Sequence, residues 1–254
     1  MNKVAKQRLA RLDRLVKAYE EPIAQALLRD LETCIVVFAA TGDILLSVSK
    51  IDSKHLQSVL DQILLDVIQR EARLEYLHLV GERKALPSLP VDEWLRRAKQ
   101  FIAVESSKAI VAINSYTRAK VRKVLRDTVT AGKSIPDTVK QLRNDMPSFS
   151  RSRANSIART ELIGALNYGS YCGAATTGVA LDKFWISTSD GRTRVTHLAA
   201  SGQTVDLNSG FIVGGEQCRF PGDPALSASN RIRCRCCIGF RPKKKPGQQL
   251  NLFK

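Results

Sequence analysis

No stretch of this 254-residue chain stays apolar for more than seven residues. The longest run, Cys34 to Ala40, is far short of the roughly 20 residues that a bilayer-spanning helix needs, so no membrane partner is expected. The start, MNKVAKQRLARLDRL, is basic but lacks a continuous apolar segment, and a secretory signal is therefore not expected. Without export, stable disulfides are not expected either. The six cysteines then read as thiols or metal ligands. Aromatic residues make up only 6% of the chain and few lie among its charges. That disfavours recognition by base stacking. No Ser-His-Asp order, phosphate loop or acidic metal cluster is recognisable.

Positive charge, by contrast, is abundant. Lysine and arginine number 40 against 24 acids, a formal net charge of +16. From Trp94 to Thr160 there are 15 basic and 4 acidic residues, and from Arg231 to Lys254 there are 8 basic and none acidic. Such asymmetry points to a polyanion, most simply nucleic acid met at its phosphates without sequence reading. The candidate contacts are Lys108, Arg118, Lys120, Arg122, Lys123 and Arg126 in the middle of the chain, with Lys243, Lys244 and Lys245 in the tail.

Apolar spacing predicts a mainly helical body. Leu9, Leu12, Val16, Ile23, Leu27, Leu28 and Leu31 recur at helical intervals over 2–33, with a break or restart at Pro22. Leu56, Leu60, Ile63, Leu64, Val67 and Ile68 predict a helix over 53–80. "ALPSLP", Ala85 to Pro90, reads as a linker, and Asp92 as the cap of the next helix. Residues 92–131 read as one long helix or two stacked ones, ended by Ala131-Gly132-Lys133. Ser134 opens a short helix to about Asn144, and Ser150 caps another from Arg151 to about Gly173. After Gly178 glycine, aspartate, proline and serine become common, and "KFWIST" reads as a strand. The expectation is an α+β protein in four segments: a helical region 1–90, a basic helical region 91–178, a small loop-rich α+β module 179–241, and a mobile basic tail 242–254.

Three groups of residues carry chemistry. Glu161 falls at the edge of the buried face of its helix, where an unpaired carboxylate costs several kcal/mol, roughly. Its expected partner is Arg192 or Arg194. In "RCRCC" an extended chain puts Cys234 and Cys236 on one face and turns Cys237 away. Two thiolates on one face make half of a tetrahedral zinc site, which His197 and Cys218 would complete. A small module with a modest core gains most from such a staple. The bland alternative is reduced, partly buried cysteines beside a hydrogen-bonded histidine. Cys34 and Cys172 sit in apolar helical contexts and are assigned to the core. An enzymatic alternative, a nuclease or transferase, would use Glu161, Asp190, Arg192 and His197.

Taken together, "SFSRSRANSIARTELIGALNYGSY", "FWISTSDGRTRVTHLAASGQ", "FPGDP" and "RCRC" resemble the phage head morphogenesis family, the Mu-F-like minor capsid proteins. The resemblance covers about Ser134 to Phe240. It implies a minor protein of a tailed-phage head, assembled in the bacterial host cytoplasm and residing inside the virion. It further implies association with the portal protein and contact with phage DNA during packaging or ejection, without enzymatic activity. Family members that carry T-C-x-x-C have a plausible metal-binding cysteine set. Here Arg194 and His197 stand at those two places, and Asn230 to Arg233 replace the H-P-N that precedes C-R-C in others. The balanced first third is the candidate portal-docking region. One last motif, Gln249, Leu250, Leu252 and Phe253 of "QLNLF", resembles the peptide by which bacterial proteins bind the sliding clamp. It would equally suit docking on another head protein.

Overall fold

A computed structural model describes residues 3–81 and 88–243. Helix α1 (Lys3–Thr41) runs unbroken through Pro22, where a break was expected. An interior proline costs a helix about 3 kcal/mol. Ile23, Ala24, Ala26 and Leu27 immediately beyond it are all buried, so tertiary packing of the stripe overrides the local penalty. Gly42 (φ +66°) then turns the chain. Asp43 accepts a hydrogen bond from the Leu46 amide at 2.9 Å and starts a short helix, α2 (Ile44–Ser49), that the periodicity does not announce. Helix α3 (Lys54–Val80) buries all six residues of its expected face.

Of the "ALPSLP" linker, residues 85–87 lie outside the described residues, and 88–90 are non-helical. Helix α4 (Val91–Phe101) begins one residue early, so Asp92 sits in its first turn and does not cap it. A π-type turn, Ile102–Ser106, joins α4 to α5 (Ser107–Thr130). The expected long helix is thus one path with a widened turn inside it. Gly132, at φ +73°, closes it as expected.

Helix α6 (Ile135–Ala175) corrects the expectation of two helices. Ser134 caps it, accepting from the Asp137 amide at 3.2 Å. The helix then continues through Pro147, and Ser150, expected as a cap, is buried within it with its hydroxyl unpartnered among the described residues. Leu142 and Met146 before the proline, and Ala154, Ile157 and Ala158 after it, are all buried, which holds both halves in one line. From Glu161 to Ser170 every residue is buried. A helix buried all round is a central helix. Here α1 and α3 pack on it, and the C-terminal module packs on it as well.

Two apolar clusters run along this axis. One joins Leu31, Phe38, Val48, Ile51, Leu125 and Leu142. The other extends from Leu12, Leu60 and Ile68 through Leu162 to Trp185, Phe220 and Ile238. Residues of segment 1–90 therefore share a core with α6 and with the module.

The contact between α3 and α6 depends on two glycines. A Cβ at Gly173 would sit 2.2 Å from the Ala72 carbonyl oxygen, and one at Gly169 2.7 Å from that of Ile68. Backbone cannot yield as a side chain does, so Gly173→Ala must push the helices apart. We expect a loss of about 2–3 kcal/mol in urea unfolding. Gly191→Ala, where a Cβ meets nothing within 4 Å, should stay within about 0.5 kcal/mol of the parent.

The module is built on a three-stranded antiparallel sheet, with β1 (Leu181–Ile186) between β2 (Thr204–Asp206) and β5 (Cys237–Pro242). Trp185 pairs with Ile238 and Ile186 with Cys237. A hairpin of β3 (Phe211–Val213) and β4 (Glu216–Cys218) turns on Gly214 and Gly215, both at positive φ, as a two-residue hairpin turn requires. Two short helices, α7 (Val195–Ala199) and α8 (Ala228–Arg231), complete it. The chain is α+β, as its sequence predicts. Among the described residues no helix is long and apolar enough to cross a membrane.

Candidate functional site

The residues singled out as chemical converge where the module meets α6. They form three separate pairings. In the first, His197 on α7 faces Cys234 and Cys236, its Nδ1 lying 3.7 Å and 3.4 Å from their sulfurs. All three side chains are buried, and their ligand atoms lie within 4.8 Å of one another. Around a tetrahedral zinc, with the usual Zn–S and Zn–N lengths, the S···N edge is about 3.5–3.6 Å. These three donors therefore have the chemistry and spacing of three corners of such a site. The ring of His197 lies edge-on to Trp185, centroids 5.7 Å apart, and its buried Nε2 has no hydrogen-bond partner among the described residues.

Strand β5 begins only at Cys237, so Cys234 and Cys236 are not in regular sheet. The predicted alternation holds nonetheless: both face His197, while Cys237 is buried with Ile186. The fourth predicted donor, Cys218, is a correction. It lies buried on β4, outside the cluster, and desolvation pushes its thiol up to about 12. It is still close enough to Cys234 for that residue's charge to add to the rise. Cys237, likewise buried, is pushed up to about 12. The Cys234 thiol moves the other way, held down by a hydrogen bond from Cys236, with His197 adding to the effect.

The second pairing is Glu161, whose Oε2 lies 2.5 Å from Nη2 of Arg231. The expected ion pair between helix and module exists, but neither expected arginine makes it. Arg231, in the last turn of α8, points down onto α6. Arg192 is exposed, and Arg194 donates to the Ile232 carbonyl at 2.5 Å. Burial raises the Glu161 pKa, and Arg231 only partly opposes it. In the third pairing, Asp190 takes two hydrogen bonds from Arg235, both 2.5 Å. These hold its carboxyl well below the ordinary range.

The segment Arg231 to Cys236 therefore alternates. Arg231 and Arg235 clamp carboxylates, Cys234 and Cys236 turn inward to His197, and Arg233 stays exposed. Crowding thiols and guanidinium groups into six residues closes the module onto the helix from several directions at once.

Asn167 is a site residue that no sequence pattern singled out. Buried in α6, it donates to the carbonyls of Pro221 (2.9 Å), Cys236 (3.1 Å) and Ile163 (3.0 Å), and accepts from the Ile238 amide (3.0 Å). A polar side chain amid "LIGALNYG" was the available signal. The "FPGDP" loop is explained by the same seam. Gly222, at φ +79°, packs against Gly164, and fully buried Asp223 holds Arg219 by a bidentate pair at 2.9 Å. A second buried polar group was also unforeseen. Arg8 bridges Glu71 and Glu75 of α3 and Ser170 of α6, with Arg11 on Glu71.

The predicted DNA contacts divide. Lys120, Arg122, Lys123 and Arg126 are exposed on α5, with Lys123 paired to Asp127 at 2.6 Å. Lys108 lies 3.4 Å from Glu105. Arg118 is occupied by the carbonyls of Ser49 and Ile51 and ties α5 to the turn after α2. Lys243 pairs with Asp206. Lys244, Lys245 and the Gln249, Leu250, Leu252 and Phe253 motif lie outside the described residues.

Fold and site together define a helical body that carries a small module fastened by buried polar ties. Residues 119–238, just under half of the chain, match the family described as Phage Mu protein F like protein. The match begins in α5, earlier than the motifs alone indicate. A curated relative, "Uncharacterized protein YqbB" of Bacillus subtilis (strain 168), is 29% identical over 156 residues. That is 60% of this chain and 51% of the relative, so the chain spans about half of the relative's length. No solved structure matches the chain.

Proposed function

We propose that this is a minor head protein of a tailed phage, associated with the portal and contacting DNA nonspecifically during head assembly, packaging or ejection. The observation that carries the reading is the family match over 119–238. The charge distribution supports the DNA part: the basic residues of α5 are mostly exposed, and phosphate contact needs no sequence-reading surface. The geometry supports a role without catalysis. Glu161, Asp190 and His197 each answer to a different partner, Arg231, Arg235 and the two thiols.

Detection of the chain in purified particles, and its co-purification with the portal protein as a full-length chain, test the reading. Absence from particles would end it. Deletion of residues 1–90 is not a clean test of portal docking, because α1 and α3 supply much of the core around α6. Nuclease assays of the parent and of His197→Ala should show no His197-dependent cleavage; such cleavage would favour the enzymatic alternative.

Within this reading His197, Cys234 and Cys236 supply three of the four ligands of a structural zinc. When bound, the metal supplies a cross-link between α7 and the segment before β5, and folding free energy with it. The three donors are buried, which suits a staple and not a site that a substrate must reach. Purified protein should contain about one zinc per chain, and cobalt exchange should give a thiolate-to-metal charge-transfer band in the near ultraviolet. Cys234→Ser or Cys236→Ser should abolish both signals, and Cys237→Ala should keep them. Metal-free protein with an unchanged melting temperature after chelation would rule the staple out.

A further inference from the structure

A cleft of about 460 Å³ lies along the seam between the helical body and the module. It is lined by Arg159 of α6, Arg192 and Arg194 before α7, and Arg233 and Arg235 before β5, with Asp13 of α1 as its one acidic wall residue. A surface lysine cluster arises easily on a solvated helix. Five guanidinium groups brought from three separate segments into one concavity do not.

Their charge is only partly answered. Arg159 pairs with Asp13 at 2.9 Å and Arg235 with Asp190. Arg192 is 4.0 Å from the same Asp190, whose oxygens already serve Arg235. Arg233 is exposed, and its guanidinium has no partner among the described residues. The backbone there is strained as well: Arg233 has φ +54°. A non-glycine residue in that region costs on the order of 1 kcal/mol and is found where the surroundings enforce it. The enforcing contacts are the Arg233 amide on the Thr160 hydroxyl, 3.2 Å, and the inward-facing Cys234 beside it.

We infer that this cleft is a phosphate-binding site and that its ligand is the phosphodiester backbone of nucleic acid. Planar guanidinium forks match phosphate oxygens two at a time. No aromatic ring among the described residues lines the cleft to stack a base, and Leu9 is the one apolar residue in its wall. That composition suits a backbone read by charge and not a nucleotide read by its base. The inference rests on the proposed DNA contact and deepens it: it moves the principal contact from α5 to the seam.

The test is fluorescence anisotropy of the full chain with a random-sequence duplex and a single strand of equal length, across a salt series. The cleft variant is Arg192→Ala/Arg233→Asn, asparagine being tolerant of the left-handed backbone. The comparison variant is Lys120→Ala/Arg122→Ala on α5. The cleft variant should bind at least about tenfold more weakly at low salt, with its salt slope reduced by about two, one for each guanidinium taken away from a phosphate. The α5 variant should stay within about threefold of the parent. Competition by inorganic triphosphate that reaches the parent but not the cleft variant would place a phosphate group in the cleft. If the parent binds nucleic acid and the two variants weaken equally, or only the α5 variant weakens, the cleft is not the site while DNA contact stands. If the parent binds neither strand form even in dilute buffer, the DNA reading fails and the inference with it. Both cleft residues are exposed, so an unchanged melting temperature should accompany the weaker binding.

Discussion

Asn167→Leu is expected to lower the unfolding free energy by about 4–6 kcal/mol, although leucine is close to asparagine in shape. The side chain makes three tertiary hydrogen bonds, to Pro221, Cys236 and Ile238, and a fourth within its own helix. Each buried partner left unsatisfied costs about 1–3 kcal/mol. Water cannot replace the missing donor without opening the seam between α6 and the module. The destabilisation should therefore be local in origin. Amides of β1 and β5 should lose hydrogen-exchange protection before those of α1 and α3 do. A shift below about 1 kcal/mol, or uniform loss of protection along the chain, would show that the module is held by other means.

Arg231→Met should cost about 3–5 kcal/mol at neutral pH, because it leaves the Glu161 carboxylate buried and uncompensated. The effect should depend on pH in a defined sense. Burial already raises the folded-state pKa of Glu161, and removing the opposing arginine raises it further. A carboxyl whose folded pKa lies above its unfolded value binds more protons when folded across that interval. Stability then falls as pH rises through it. The deficit of Arg231→Met should accordingly shrink as pH is lowered toward the unfolded-state value of about 4.3. Glu161→Leu/Arg231→Met should recover most of the loss at pH 7, since replacing both partners of a buried pair is often close to neutral. Denaturant titrations of the two single variants and the double variant at several pH values decide it. A double variant as unstable as the sum of the singles would show that the pair does not act as a unit.

These two residues also measure how far the sequence could be read. Glu161 was legible as a buried carboxylate in need of an arginine, because helical spacing fixes which face it occupies. Which arginine answers was not legible. Arg192, Arg194 and Arg231 are all near in the module, and only the path of the chain into and out of α8 turns Arg231 toward α6. Asn167 was legible only as an oddity, since its four partners come from positions 163, 221, 236 and 238. Three of those are far along the chain.

By itself the sequence determined the helical character of the body, the face that α3 buries, the change of texture after Gly178, and the shared orientation of Cys234 and Cys236. All of these arise from local periodicity, turn residues and alternation, which act over a few positions. Tertiary structure alone decided that α1 and α6 run through their prolines, because burial on both sides of Pro22 and Pro147 outweighs a local penalty of about 3 kcal/mol. It alone left Cys218 out of the thiol–imidazole cluster and gathered five arginines along one seam. Those outcomes depend on where distant segments come to rest, and no short-range pattern encodes that distance.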